Sequence, residues 1–145
     1  RWILYCPSYL GAGEDWWWNW GDAYGGFKAI GYVPTFKVRS PGAVFLHATN
    51  VNEHFTPRPY RIGNVEVLPR AAERELVADV TMSSGTGSSR TFSQIASGGP
   101  KPHRSAHLEK TRPVGGNIVF LDGHVAWRRF PEMTIRTSGT PSFWY

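Results

Sequence analysis

A single cysteine, Cys6, stands in the 145 residues. No disulfide can form within the chain, so the fold lacks the covalent framework that small secreted domains use. Apolar residues never run uninterrupted for the ~18 positions that a membrane-crossing helix needs, so membrane attachment is expected only through a segment upstream of Arg1. Charge is sparse too: 19% of residues are charged, with a net charge of +5. The basic residues Arg58, Arg61, Arg70, Arg74, Arg104, Lys110, Arg112, Arg128 and Arg129 are scattered and form no dense run, which argues against a nucleic-acid partner. No Asn-x-Ser/Thr acceptor for N-linked sugar occurs, and no Ser-centred nucleophile elbow. The stretch Gly85-Thr86-Gly87-Ser88-Ser89 is rich in glycine but lacks the lysine of a phosphate-binding loop, so it reads as a surface loop.

What the chain does have is aromatics and turn formers. Phe, Trp and Tyr make up 14%, and there are 16 Gly and 11 Pro, too much punctuation for a helical bundle. The length suits one domain over residues 1–145. The expected class is α+β and β-dominated, an antiparallel sheet with long loops. A Trp-rich loop spans 11–31 and carries Trp16, Trp17, Trp18 and Trp20. No period of 2 or 3.6 fits it. Such rings pack on a core, stack on a sugar, or anchor a subunit contact.

Along the chain, Trp2–Tyr5 reads as a short strand stopped by Pro7. Tyr32–Val38 reads as extended, with Pro34 placing it at a sheet edge. Ala43–Ala48 is strand-like, and Asn50–Pro59 a polar loop. Val65–Val67 is extended, and Pro69–Glu75 holds a short helical turn at Ala71–Glu73. Glu75–Val80 is a buried strand. Ser83–Ser89 is a flexible loop, and 97–112 a polar one. Gly116–Leu121 and His124–Phe130 form a β-hairpin turning at Asp122-Gly123, the strongest turn signal present.

The residues with chemical potential are Asp79, His103, His107, Asp122 and His124, a mixture that in other settings binds zinc, manganese or iron and activates water. Their spacing follows no ligand pattern on a helix or strand, and Asp122 is first a turn residue. The expectation is that His107, Asp122 and His124 hold the C-terminal loop by hydrogen bonds, without a metal and without catalysis. Glu14 and Asp15 are adjacent, which suits a glycosidase acid pair poorly. Cys6 reads as a small buried apolar residue.

The C-terminal region 97–145 carries a recognisable pattern. His107, then Gly115-Gly116-Asn117, then Asp122-Gly123-His124 and Trp127-Arg128 resemble the C-terminal motif of the prepilin-type proteins abundant in planctomycetes and verrucomicrobia. That motif is written as His, nine residues, Asp-Gly; here fourteen residues separate His107 from Asp122. Tyr5-Cys6-Pro7-Ser8 resembles the Cys-Pro-Ser of the same family, so the likeness brackets the chain. The resemblance implies a pilin-like or pseudopilin-like domain, similar to the major pseudopilin of type II secretion. It implies an antiparallel sheet on a long N-terminal helix and assembly into filaments. Some relatives hold calcium in a C-terminal loop; Asp122 is the one position carried over for it, with few carboxylates nearby for an ion that wants six to eight oxygens.

The function expected from both lines is a non-enzymatic structural subunit of an extracellular or cell-envelope filament, at the cell surface or in the periplasm. Its partners would be copies of itself and other envelope or secretion components. Candidate subunit contacts are Trp16, Trp17, Trp18, Trp20, Phe143, Trp144 and Tyr145. The alternative is a carbohydrate-binding surface module that meets a glycan through the Trp-rich loop; a metal-dependent hydrolase ranks third.

Overall fold

The computed structural model describes residues 6, 8, 31–34, 52–53, 56–57, 59–95, 103–136 and 141–145. The Trp16–Trp20 run and the strands expected at Trp2–Tyr5 and Ala43–Ala48 lie outside them. Antiparallel strands dominate the described residues, and helical structure there is confined to 3-10 turns.

Four strands form the main sheet: β1 (Tyr32–Pro34), β6 (Glu75–Asp79), β10 (Gly115–Phe120) and β11 (Val125–Arg129), in the order β1-β6-β10-β11, every pair antiparallel. Among the described residues, β1 has β6 on one side only, the edge position expected for the Pro34 segment. The sheet is central because its inner strands carry apolar residues on both faces. Val33, Ala78 and Ile118 lie side by side and are buried in a core that also holds Val80, Met82, Ile95, Ala106, Phe120 and Cys6. Val77, Val119 and Val125 face the other way. They line an open cleft of about 410 Å³ together with Tyr32, Asp79 and Asn117. Between β6 and β10 the register shifts at Val119/Phe120, where Leu76 is the extra residue of a bulge.

Three hairpins form separate two-stranded sheets: β2 (Asn52–Glu53) with β3 (Thr56–Pro57), β4 (Tyr60–Ile62) with β5 (Val65–Val67), and β8 (Leu108–Glu109) with β9 (Arg112–Pro113). The last breaks up what reads in sequence as one polar loop. Ala71–Glu73 is the expected helical turn, of 3-10 type, and its end is tied by the Glu73 carboxylate accepting from Arg70 N–H at 2.8 Å. The Ser83–Ser89 segment is more ordered than its composition suggests. A 3-10 turn at Gly87–Ser89 and two backbone bonds between Ser84 and Thr91 close it.

Of the candidate subunit contacts Phe143, Trp144 and Tyr145, Tyr145 packs inside the domain, whereas Phe143 and Trp144 are half-buried. β12 (Ser142–Phe143) pairs with β7 (Met82–Ser83), and Trp144 N–H donates to the Thr81 carbonyl at 2.8 Å. Tyr145 is fully buried. Trp144 joins Phe92 and Phe130 in an aromatic cluster with ring centroids 5.1–5.8 Å apart, and Arg90 lies over its ring. The three rings are half-buried and pack on one another within the same chain.

The hairpin β10–β11 forms where the sequence places it, with a different turn. Val119 pairs with Val125, and Phe120 N–H donates to the His124 carbonyl, leaving three residues, Leu121 to Gly123, in the loop. Gly123 takes the positive φ of +91°, and Asp122 serves through its side chain. A two-residue Asp-Gly turn would have put positive φ on both.

Candidate functional site

Tyr32 and Asp79 face each other across β1 and β6, and Asn117 and Trp127 across β10 and β11. Asn117 in turn donates to Asp79 from both its backbone N–H and its side-chain amide, each at 2.8 Å. The four residues therefore form one row across the sheet, beside the apolar row of Val77, Val119 and Val125. Period-two alternation puts them on that face together.

His107 is brought to this row by the segment before β8. Ala106 N–H bonds the Val80 carbonyl at 2.9 Å and Val114 N–H bonds the His107 carbonyl at 3.0 Å. Its φ of +49° is unusual for a residue with a side chain, and the contacts around it hold it there. The Trp127 ring meets the imidazole edge-on, with centroids 4.9 Å apart. Trp127 can lie so close to β10 because Gly115 has no side chain: a Cβ there would collide with the Arg128 carbonyl and sit 2.7 Å from the indole.

On the imidazole, Nε2 lies 2.8 Å from Asp79 Oδ2 and 3.1 Å from Cys6 Sγ, and Nδ1 lies 3.0 Å from Ser8 Oγ. Cys6 is 2% exposed, the Asp79 side chain 3% and the His107 side chain 17%. Burying a carboxylate this deeply is costly unless donors surround it, and Asp79 Oδ2 faces three: His107 Nε2 and the two N–H groups of Asn117. The cluster also acts on Tyr32. Burial, then the negative charges of Asp79 and Cys6, push its phenol above the ordinary tyrosine value.

The five residues singled out for chemistry separate into groups. Asp79 and His107 come together. Asp122 and His124 pair with each other at the hairpin turn, with His124 Nδ1 2.6 Å from Asp122 Oδ1 and His124 N–H donating to the same oxygen at 3.1 Å. Those bonds from His124 hold the Asp122 carboxyl below its ordinary value. The His124 ring stacks on Phe120. From Asn117 to the strand end at Phe120 is three residues, about 10 Å, and Asp122 lies in the turn beyond it, so the two His–Asp pairs are separate. His103 lies in a backbone bridge with Ile95. Thus Asp122 and His124 hold the C-terminal turn by hydrogen bonds as expected, whereas His107 belongs to a different neighbourhood.

Two participants escaped the sequence reading. Cys6 is buried as expected, yet its sulfur faces an imidazole; Ser8 faces the opposite nitrogen. Of the C-terminal residues singled out in the sequence, His107, Gly115 and Asn117 build this site, while Asp122, Gly123 and His124 build the turn.

A nucleophilic relay would use the two ring nitrogens separately, one toward the nucleophile and one toward the carboxylate. Cys6 and Asp79 share Nε2, so they do not form such a relay with His107. Ser8 and Asp79 do flank opposite nitrogens. Comparison with protein-family models, curated proteins and solved structures gave no match.

Proposed function

We propose that this chain is the globular part of a pilin-like structural subunit that assembles with copies of itself into an extracellular or cell-envelope filament. The observation that carries this reading is the β4–β5 hairpin. Its register pairs Tyr60 with Val67 and Ile62 with Val65, so one face is wholly apolar, while Arg61 and Glu66 pair on the other. That apolar face lies largely in solvent: Ile62 is 62% exposed and Val65 64%, and Leu68 beyond the hairpin is exposed as well. A two-stranded hairpin has little stability of its own and is normally held by what packs on its apolar side. An apolar face turned outward is the mark of a surface that meets a partner. A different surface of a second copy, docked head to tail, covers it and leaves that copy's own hairpin face open for the next. The antiparallel sheet and the motif-bearing β10–β11 hairpin fit the same reading.

Sedimentation velocity on the chain over a rising concentration series tests it. The wild type should form concentration-dependent oligomers. Ile62→Lys with Val65→Glu should remain monomeric with an unchanged melting temperature, because neither side chain is part of the core and opposite charges can face each other across the pair. A wild type that stays monomeric throughout, or a double variant that associates as well as the wild type, would overturn the reading.

A further inference from the structure

We propose that Cys6, Asp79 and His107 form a binding site for a divalent transition-metal ion of the zinc type, with a fourth coordination position open to the cleft beside β6. The sulfur, the imidazole Nε2 and a carboxylate oxygen all lie within 4.8 Å of one another. Two of them converge on one nitrogen, at 2.8 and 3.1 Å. One nitrogen can hold one proton, so a hydrogen bond can serve only one of the two well. A metal ion in place of that proton serves all three. Tetrahedral zinc, with bonds of about 2.0–2.3 Å, sets its ligand atoms roughly 3.3–3.6 Å apart. The two distances to Nε2, 2.8 and 3.1 Å, are slightly shorter, the sulfur and carboxylate lie within 4.8 Å, and shifts of about 1 Å in the donor atoms accommodate the ion.

The donor set selects the ion class. Thiolate with imidazole and carboxylate suits zinc or cobalt; calcium and magnesium take oxygen donors. Charge balance agrees. A thiolate and a carboxylate cancel a divalent cation beside a neutral imidazole, and a neutral cluster is what a site this deeply buried tolerates. The surroundings supply the orienting contacts that metal ligands need. Ser8 Oγ engages His107 Nδ1, which leaves Nε2 for the ion, and the Asn117 N–H groups fix the Asp79 carboxylate. Trp127 buttresses the ring. The cleft lined by Tyr32, Val77, Asn117 and Val119 reaches Asp79, so a water or a small ligand can take the remaining position.

The test is titration of the metal-free 145-residue chain with Co²⁺, followed by competition with Zn²⁺. The expected result is one ion per chain, the visible bands of four-coordinate cobalt, and a thiolate-to-cobalt charge-transfer band in the near ultraviolet that Zn²⁺ abolishes. With one cysteine in the chain, a band at this stoichiometry reports Cys6. Cys6→Ser should remove it, His124→Gln should leave it intact, and Ser8→Ala should weaken binding roughly 10- to 100-fold. Absence of the charge-transfer band in the wild-type chain overturns the proposal even if the variants do not fold. So does a band that survives Cys6→Ser or vanishes in His124→Gln, or a stoichiometry of one ion per two chains.

Discussion

Two histidine–aspartate pairs stand on the same stretch of chain and differ in nearly everything but composition. His124 and Asp122 are two residues apart, share a tight turn and are exposed. His107 and Asp79 are 28 residues apart, meet on a sheet, and are buried. The first pair is a product of local geometry: a three-residue loop puts the Asp122 carboxylate within reach of His124 whatever the rest of the molecule does. The second exists only because β6, β10 and the segment entering β8 have been assembled. Burial also changes what each pair is worth, since solvent screens the exposed one while the buried carboxylate must be satisfied by protein donors.

The largest test of this contrast is removal of each carboxylate. Asp79→Ala strands the two Asn117 donors and the imidazole, and should lower stability by about 3–5 kcal/mol in urea unfolding. Asp122→Ala should leave the unfolding midpoint close to wild type. Equal losses would mean that burial is not what separates the pairs.

The two glycines that serve these regions sharpen the comparison. Gly115→Val forces Trp127 away from β10 and from His107, for a loss of about 1–3 kcal/mol. Gly123→Val meets no neighbour, yet must hold a side chain at φ +91°, for a loss of about 1 kcal/mol. If the second exceeded the first, backbone strain at the turn would outweigh packing at the sheet.

Smaller effects appear in pH dependence. The folded-state pKa of Asp122 is lowered, so its stabilising contribution is present above the ordinary carboxylate value, about 3.9, and is lost as pH falls through the lowered one. Asp122→Asn should flatten that acid limb slightly. Tyr32 has the opposite sign. Its raised pKa makes the neutral phenol the favoured folded form, so its contribution is present below pH of about 10 and lost as pH rises through the raised value. Asp79→Asn should bring the Tyr32 titration, followed by phenolate absorbance, part of the way back, because burial remains its larger cause. No change would remove Asp79 from the account of that site.

The difference between the pairs also explains what was legible in the sequence. Val119 before Asp122-Gly123 and Val125, Trp127 after it announce a hairpin, because period-two alternation and a turn glycine are local signals. Glu75–Val80 reads as a buried strand from its local run of Leu76, Val77 and Ala78, and the strand formed is Glu75–Asp79. The α-helical part of the expected α+β class has no counterpart among the described residues. Cys6 and His107 lie 101 residues apart, and no spacing rule connects them. The available hint was indirect: Cys6-Pro7-Ser8 and the His107 motif both resembled one family, and the fold joins these two ends. The burial of Tyr145 was not legible because a cluster of aromatics looks alike in sequence whether it meets a neighbour or its own core; the pairing of Ser142–Phe143 with Met82–Ser83 is a long-range feature.

The most direct measurement is a pair of double-mutant cycles, His107→Gln with Asp79→Asn and His124→Gln with Asp122→Asn, each followed by chemical unfolding. The account predicts a coupling of about 1–3 kcal/mol for the buried pair and no measurable coupling for the exposed one. Equal couplings, or a larger one at the turn, would contradict it.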